Sequence, residues 1–125
     1  MNTKEIEILS NNILKRIDML LDYDASGLFF DENNNSKDVI NIISSMITEE
    51  NKNINVDEFN KIKTFMIENI KETIEKFNYD IKKYQNSEKN ELLKKMVIDN
   101  AETEIKEYLK LKEWIKNINL KDLNL

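Results

Sequence analysis

The 125-residue chain has no cysteine, no histidine and no proline, and its only glycine is Gly27. Without Cys there are no disulfides and no thiol chemistry. Without His or Cys there is no Ser-His or Cys-His nucleophile pair, no zinc site of the usual kind and no His-ligated iron. Carboxylate-only metal sites and Asp/Glu acid–base pairs are still open, yet no two such groups stand at a mechanistic spacing. The expectation is a non-enzyme with no cofactor. The scarcity of Gly and Pro acts on the fold instead: such a chain winds into helices more readily than it turns into a β architecture.

Long apolar runs are missing as well. No stretch of about 18 apolar residues occurs, so no membrane span is expected. The first residues, MNTKEIEILS, mix acids with apolar residues and lack the charged-then-apolar order of a secretion signal. A cytoplasmic location is the default, with no membrane partner.

Apolar residues are present at 40% and charged ones at 34%, enough of the first to build a core and enough of the second to keep it dissolved. Their spacing is informative. From Phe59 to Tyr84 the apolar positions are Phe59, Ile62, Met66, Ile70, Ile74, Phe77, Ile81 and Tyr84, each three or four residues after the last. That spacing keeps side chains on one face of an α-helix. A similar stripe, Ile6, Leu9, Ile13, Ile17 and Leu20, widened by Leu14 and Leu21, predicts a first helix capped by Asn2 or Thr3. Ile8 and Met19 fall on its opposite side, to be covered by a neighbouring helix or to meet a partner.

Between Lys37 and Glu50, residues Val39, Ile40, Ile42, Ile43, Met46 and Ile47 cover most of a helix circumference, as expected of a helix packed between others. Asn55 and Glu58 are spaced as a capping box ahead of the long stripe. Ser87 is a candidate cap for the last helix, with Glu88 and Glu91 in its first turn, and that helix carries Leu92, Leu93, Met96, Val97, Ala101, Ile105, Tyr108, Leu109, Leu111, Ile115 and Ile118. Asn100 and Glu104 lie near this stripe, and a carboxylate there is expected to pair with a Lys or Tyr of a neighbouring helix as a polar core contact rather than to serve an active site. The reading is a single all-α domain with helices over about 3–22, 37–50, 57–85 and 87–118. Two long helices joined by a short connection run antiparallel, so the architecture is an antiparallel four-helix bundle or a close variant with a long C-terminal hairpin.

Charge is unevenly placed. Residues 1–60 carry 5 Lys/Arg against 12 Asp/Glu, and residues 61–125 carry 14 against 12. No basic stripe of the kind a nucleic-acid groove needs appears, so no direct nucleic-acid contact is expected. The segment from Asp22 to Asn33 concentrates the acids around Leu28, Phe29 and Phe30. Read structurally, the two Phe plug one end of the bundle. Read functionally, they are apolar anchors with an acidic rim for a basic partner. Partner contacts are accordingly expected at Asp22, Asp24, Phe29, Phe30, Asp31 and Glu32. Phe65, on the far side of the long stripe, is a further candidate.

The same segment supports a second reading. Asp22, Asp24 and Ser26, followed by Gly27 and then Phe29, resemble the first, third, fifth, sixth and eighth positions of the EF-hand calcium loop. Asn33 stands where that family places a bidentate Glu, and INVDEF at 54–59 resembles only the end of such a loop. What the resemblance implies is calcium binding at 22–33. Against it stands the main expectation: a small acidic protein that acts by stoichiometric binding to another protein. Inhibitors, immunity proteins, antitoxins and phage anti-defence proteins have this profile. A structural subunit that assembles into a helical homo-oligomer is the third reading, and it leaves a homodimer open.

Overall fold

A computed structural model describes residues 1–23, 37–50, 53–88 and 90–125, the side chains of residues 22 and 23 excepted. The chain is an all-α helical bundle: α1 (Thr3–Tyr23), α2 (Lys37–Glu49), α3 (Val56–Gln85) and α4 (Glu91–Asn117), followed by a short 3-10 turn, Leu120–Asp122. At 1.5 Å per residue, α3 and α4 are about 45 and 40 Å long, whereas α2 reaches only about 20 Å. This inequality in length decides which apolar residues find a cover.

Local chemistry sets the helix ends. Asn2 Oδ1 accepts from the Glu5 backbone N–H, which makes Asn2 the cap of α1. Asn55 and Glu58 form the expected capping box, with the Asn55 side chain accepting from the Glu58 N–H and the Glu58 carboxylate from the Asn55 N–H. The start of α4 differs from the sequence reading. Ser87 does not cap it, and Glu88 lies ahead of it, because the Asn86 and Ser87 N–H groups donate back to Lys82 and Tyr84 carbonyls and close α3. Asn90 caps α4 instead, its Oδ1 accepting from Leu92 N–H.

Cross-helix contacts give the directions. The Met1 amino group meets Glu58 and Asn11 meets Asn69, so α1 lies parallel to α3. Lys63 reaches the Lys116 and Ile118 carbonyls, and the Phe77 ring lies 6.1 Å from that of Tyr108, so α4 runs antiparallel to α3. Glu50, just past α2, shares a pocket with Met1, Glu5, Ile8 and Leu9 near the start of α1, which makes α1 and α2 antiparallel.

The core contains Ile6, Leu9, Ile13 and Ile17 of α1, Val39, Ile43 and Ile47 of α2, Phe59, Ile62, Met66 and Ile70 of α3, and Tyr108, Leu111, Trp114 and Ile115 of α4. Among the described residues two serines are buried with it. Ser10 donates to the Ile6 carbonyl, while Ser44 accepts from the backbone of Asn124 and so ties the C-terminal residues to α2.

Several expected core residues are exposed. Leu20 is 37% exposed because the buried stripe of α1 steps by four from Ile17 to Leu21. Ile8 and Met19 are not covered, since α1 packs mainly on α3 and α2 and its outer face is left open. Leu92, Leu93, Met96 and Leu109 are exposed on α4. Asn100 is exposed too, whereas Glu104 is half-buried. On α2 the burial is deepest along Val39, Ile43 and Ile47; Ile40, Ile42 and Met46 are half-buried, with α1 the main neighbour.

Candidate functional site

The face that combines exposed apolar side chains with carboxylates lies where the start of α1 meets the end of α2. Antiparallel packing brings Glu50 to Glu5, 45 positions earlier in the chain, and the two acids line a pocket of about 230 Å³ with Met1, Ile8 and Leu9. Leu9 belongs to the core and is almost fully buried, whereas Ile8 is 52% exposed. Among the described residues the pocket therefore has an apolar floor and an acidic rim. A side chain with a long hydrocarbon stem and a cationic head, lysine or arginine, matches both features.

Ile8 does not stand alone on this surface. Met19 lies eleven residues further along α1, close to three helical turns, and so on the same face; it is 59% exposed. By the same spacing the face leads from the Glu5–Glu50 pocket past the exposed Lys15 toward Asp22, in the last turn of the helix. Exposed apolar residues scattered singly are ordinary on a protein surface. Here two lie on one helix face, with an acid-lined pocket at one end.

Glu58 sits at the same end of the bundle. Its carboxylate accepts from the Met1 ammonium at 2.7 Å and from the Asn55 backbone, and these contacts, the ammonium first, hold its pKa below the ordinary glutamate value. Met1 is fixed by this bond as one wall of the pocket. Lys63 performs a similar task at the C-terminal end of α4. Its ammonium donates to the Lys116 and Ile118 carbonyls at 3.1 and 2.6 Å and lies 5.8 Å from the Phe59 ring centre. Burial lowers the Lys63 pKa, and the charge of Asp122 works the other way. A cation at these carbonyls satisfies acceptors that the helix end leaves open.

A second, more polar groove of about 410 Å³ runs between α1 and α3, lined in part by Asn11, Lys15, Asp18, Glu72 and Lys76. Asn69 donates to Asn11, and the Tyr108 hydroxyl donates to Asp18 at 2.9 Å. These bonds join helices, and the charges of both signs balance within the groove. It reads as a polar seam of the bundle.

Of the residues singled out from the sequence, Phe65 is half-buried and packs against the core from α3. Asp22 lies in the last turn of α1, but its side chain is outside the described residues. Asp24, Phe29, Phe30, Asp31 and Glu32 are outside them as well, and so is the rest of the calcium-loop resemblance up to Asn33. In the second fragment, Asn55 and Glu58 act as the cap of α3 and Phe59 is core. Among the described residues no group of three or more metal-ligating side chains converges, and no helix is long and apolar enough to cross a membrane.

Sequence reasoning marked Ile8 and Met19 as off the stripe but did not find the Glu5–Glu50 pair. The spacing of one helix carries no information about which residue of another will face it. Comparison with known proteins found no match: no family model, no curated protein and no solved structure is similar to the chain.

Proposed function

We propose that the protein is non-enzymatic and acts by stoichiometric binding to another protein with a basic surface, in the manner of inhibitors, immunity proteins, antitoxins or phage anti-defence proteins. One observation carries the reading: the acid-rimmed pocket of Glu5 and Glu50 over Ile8 and Leu9, opening onto the exposed face of α1. The apolar part supplies affinity by leaving water, and the carboxylates set on-rate and exclude acidic partners. The excess of acids over bases in residues 1–60 adds long-range attraction of the same sign.

The test is capture from the source cell on tagged protein, with the wild type and the Ile8→Ser variant run side by side. The expected result is a basic protein retained in a one-to-one ratio by the wild type and lost from the variant. With that partner in hand, Glu5→Gln combined with Glu50→Gln should weaken binding about tenfold at low salt and flatten its salt dependence. Identical captures on both baits contradict the proposal.

A further inference from the structure

A different surface carries a second inference. On the N-terminal half of α4, Leu92, Leu93 and Met96 are 69%, 48% and 62% exposed. Leu93 and Met96 line a groove of about 660 Å³ with Val97, Asp99, Asn100 and Thr103. Leu92, Met96, Asp99 and Thr103 succeed one another at steps of four, three and four, the spacing of one seam along a helix. Lys95 and Glu102, both exposed, lie one heptad apart along one edge of this seam. Leu93 and Asn100 lie one heptad apart along the other.

This arrangement is self-complementary in one direction only. When a second α4 is laid antiparallel, with Met96 opposite Asp99 and Leu92 opposite Thr103, the edge positions fall so that each Lys95 meets the other copy's Glu102. A two-fold axis generates the pair twice. A parallel arrangement sets Lys95 beside Asn100 and offers no opposite charge. Lys94 does not compete, since its ammonium contacts Glu91 of its own helix at 3.4 Å. Asp99 lies one turn from Lys95 of its own helix, whose ammonium can meet its carboxylate at the rim of the seam.

We propose that the occupant of this face is a second copy of the chain, joined through an antiparallel α4–α4 contact centred between Met96 and Asp99, with Lys95 and Glu102 pairing across it. The span from Leu92 to Thr103 is about 17 Å of helix. Contacts of that extent fall below the size of obligate interfaces, so the dimer is weak and concentration-dependent.

Sedimentation equilibrium on the full chain, from about 1 µM to about 1 mM, reads an affinity of this class. The expected result is a monomer–dimer equilibrium that Met96→Glu weakens about thirtyfold or more. Lys95→Glu alone should weaken it about fivefold, and Lys95→Glu with Glu102→Lys should recover part of that loss, because the cross pairs re-form with signs exchanged while Asp99 loses the lysine one turn away. These positions are exposed, so thermal unfolding of every variant should follow that of the wild type. Ile8→Ser should leave the dimer intact, which separates this test from that of the partner-binding face. A monomer at all concentrations overturns the proposal and leaves the face to another occupant. A dimer that the charge exchange fails to rescue overturns it too.

Discussion

The two halves of α4 carry comparable apolar residues and meet different fates. In the C-terminal half Tyr108, Leu111, Trp114 and Ile115 are buried; in the N-terminal half Leu92, Leu93 and Met96 face solvent. Composition does not explain the contrast, because leucine and methionine are as apolar as the residues they are compared with. Neighbours do. The C-terminal half lies beside the start of α3, where α1 packs and where the C-terminal residues tie back to α2 through Asn124 and Ser44. The N-terminal half has α3 on one side and an open groove on the other. An apolar stripe thus says which face of a helix is available for burial. The lengths of the other helices decide how much of it is buried by the same chain.

Truncation on the two halves gives the largest expected difference. Leu111→Ala removes a fully buried side chain and should cost about 3 kcal/mol in chemical denaturation, and Ile115→Ala a similar amount. Met96→Ala, on the same helix, should stay within about 0.5 kcal/mol of the wild type. Equal losses at both sites would erase the distinction between the halves.

Next in size is the lock at the C-terminal end of α4. Lys63→Ala leaves the Lys116 and Ile118 carbonyls without their cation and bares part of Phe59, so a loss of about 1.5 kcal/mol is expected. Lys63→Arg should recover only part of it, because the planar guanidinium does not present its donors as the ammonium does. A smaller effect, about 1 kcal/mol, is expected from Asn55→Ala, which opens the capping box of α3. Asn90→Ala should cost a similar amount, since Asn90 is the cap of α4.

The pH dependence of Glu58 gives the smallest effect. Its carboxylate titrates lower in the folded protein than in the unfolded chain, chiefly through its hydrogen bond with the Met1 ammonium. Its contribution is therefore present above the unfolded glutamate value of about 4.3 and is lost as pH falls through the folded one. Glu58→Gln should remove that part of the acid limb of the stability curve and leave the neutral region almost unchanged. An acid limb that is the same in wild type and variant would contradict this.

Much of the fold was legible in the sequence. The helix expected over about 57–85 matches α3 to within a residue at each end, and the burial of Phe59, Ile62, Met66 and Ile70 follows the first half of the stripe. Toward the distal end Ile74, Phe77, Ile81 and Tyr84 are only half-buried, for the same reason that leaves Leu92 and Met96 exposed. Periodicity identifies a face, and a face is not yet a contact. Asn90 was missed as a cap because Ser87 is an equally good cap by residue type; the choice was made by backbone N–H groups that α3 uses to finish its last turn.

The candidate site was less legible. Ile8 and Met19 stood out by breaking the stripe, but Glu5 and Glu50 become neighbours only through the packing of α2 on α1. Ser44 gives no sign in the sequence that it will hold the chain's last residues, since its partner is 80 positions away.

The claim beneath both functional readings is that the exposed apolar side chains of α1 and α4 form contact surfaces and contribute little to the core. Chemical denaturation of the Ile8→Ser, Met96→Ser double variant tests it most directly. The predicted result is an unfolding midpoint and slope that match those of the wild type within error. A loss of several kcal/mol, of the size expected for Leu111→Ala, would place these residues in the interior and remove the ground for either interface.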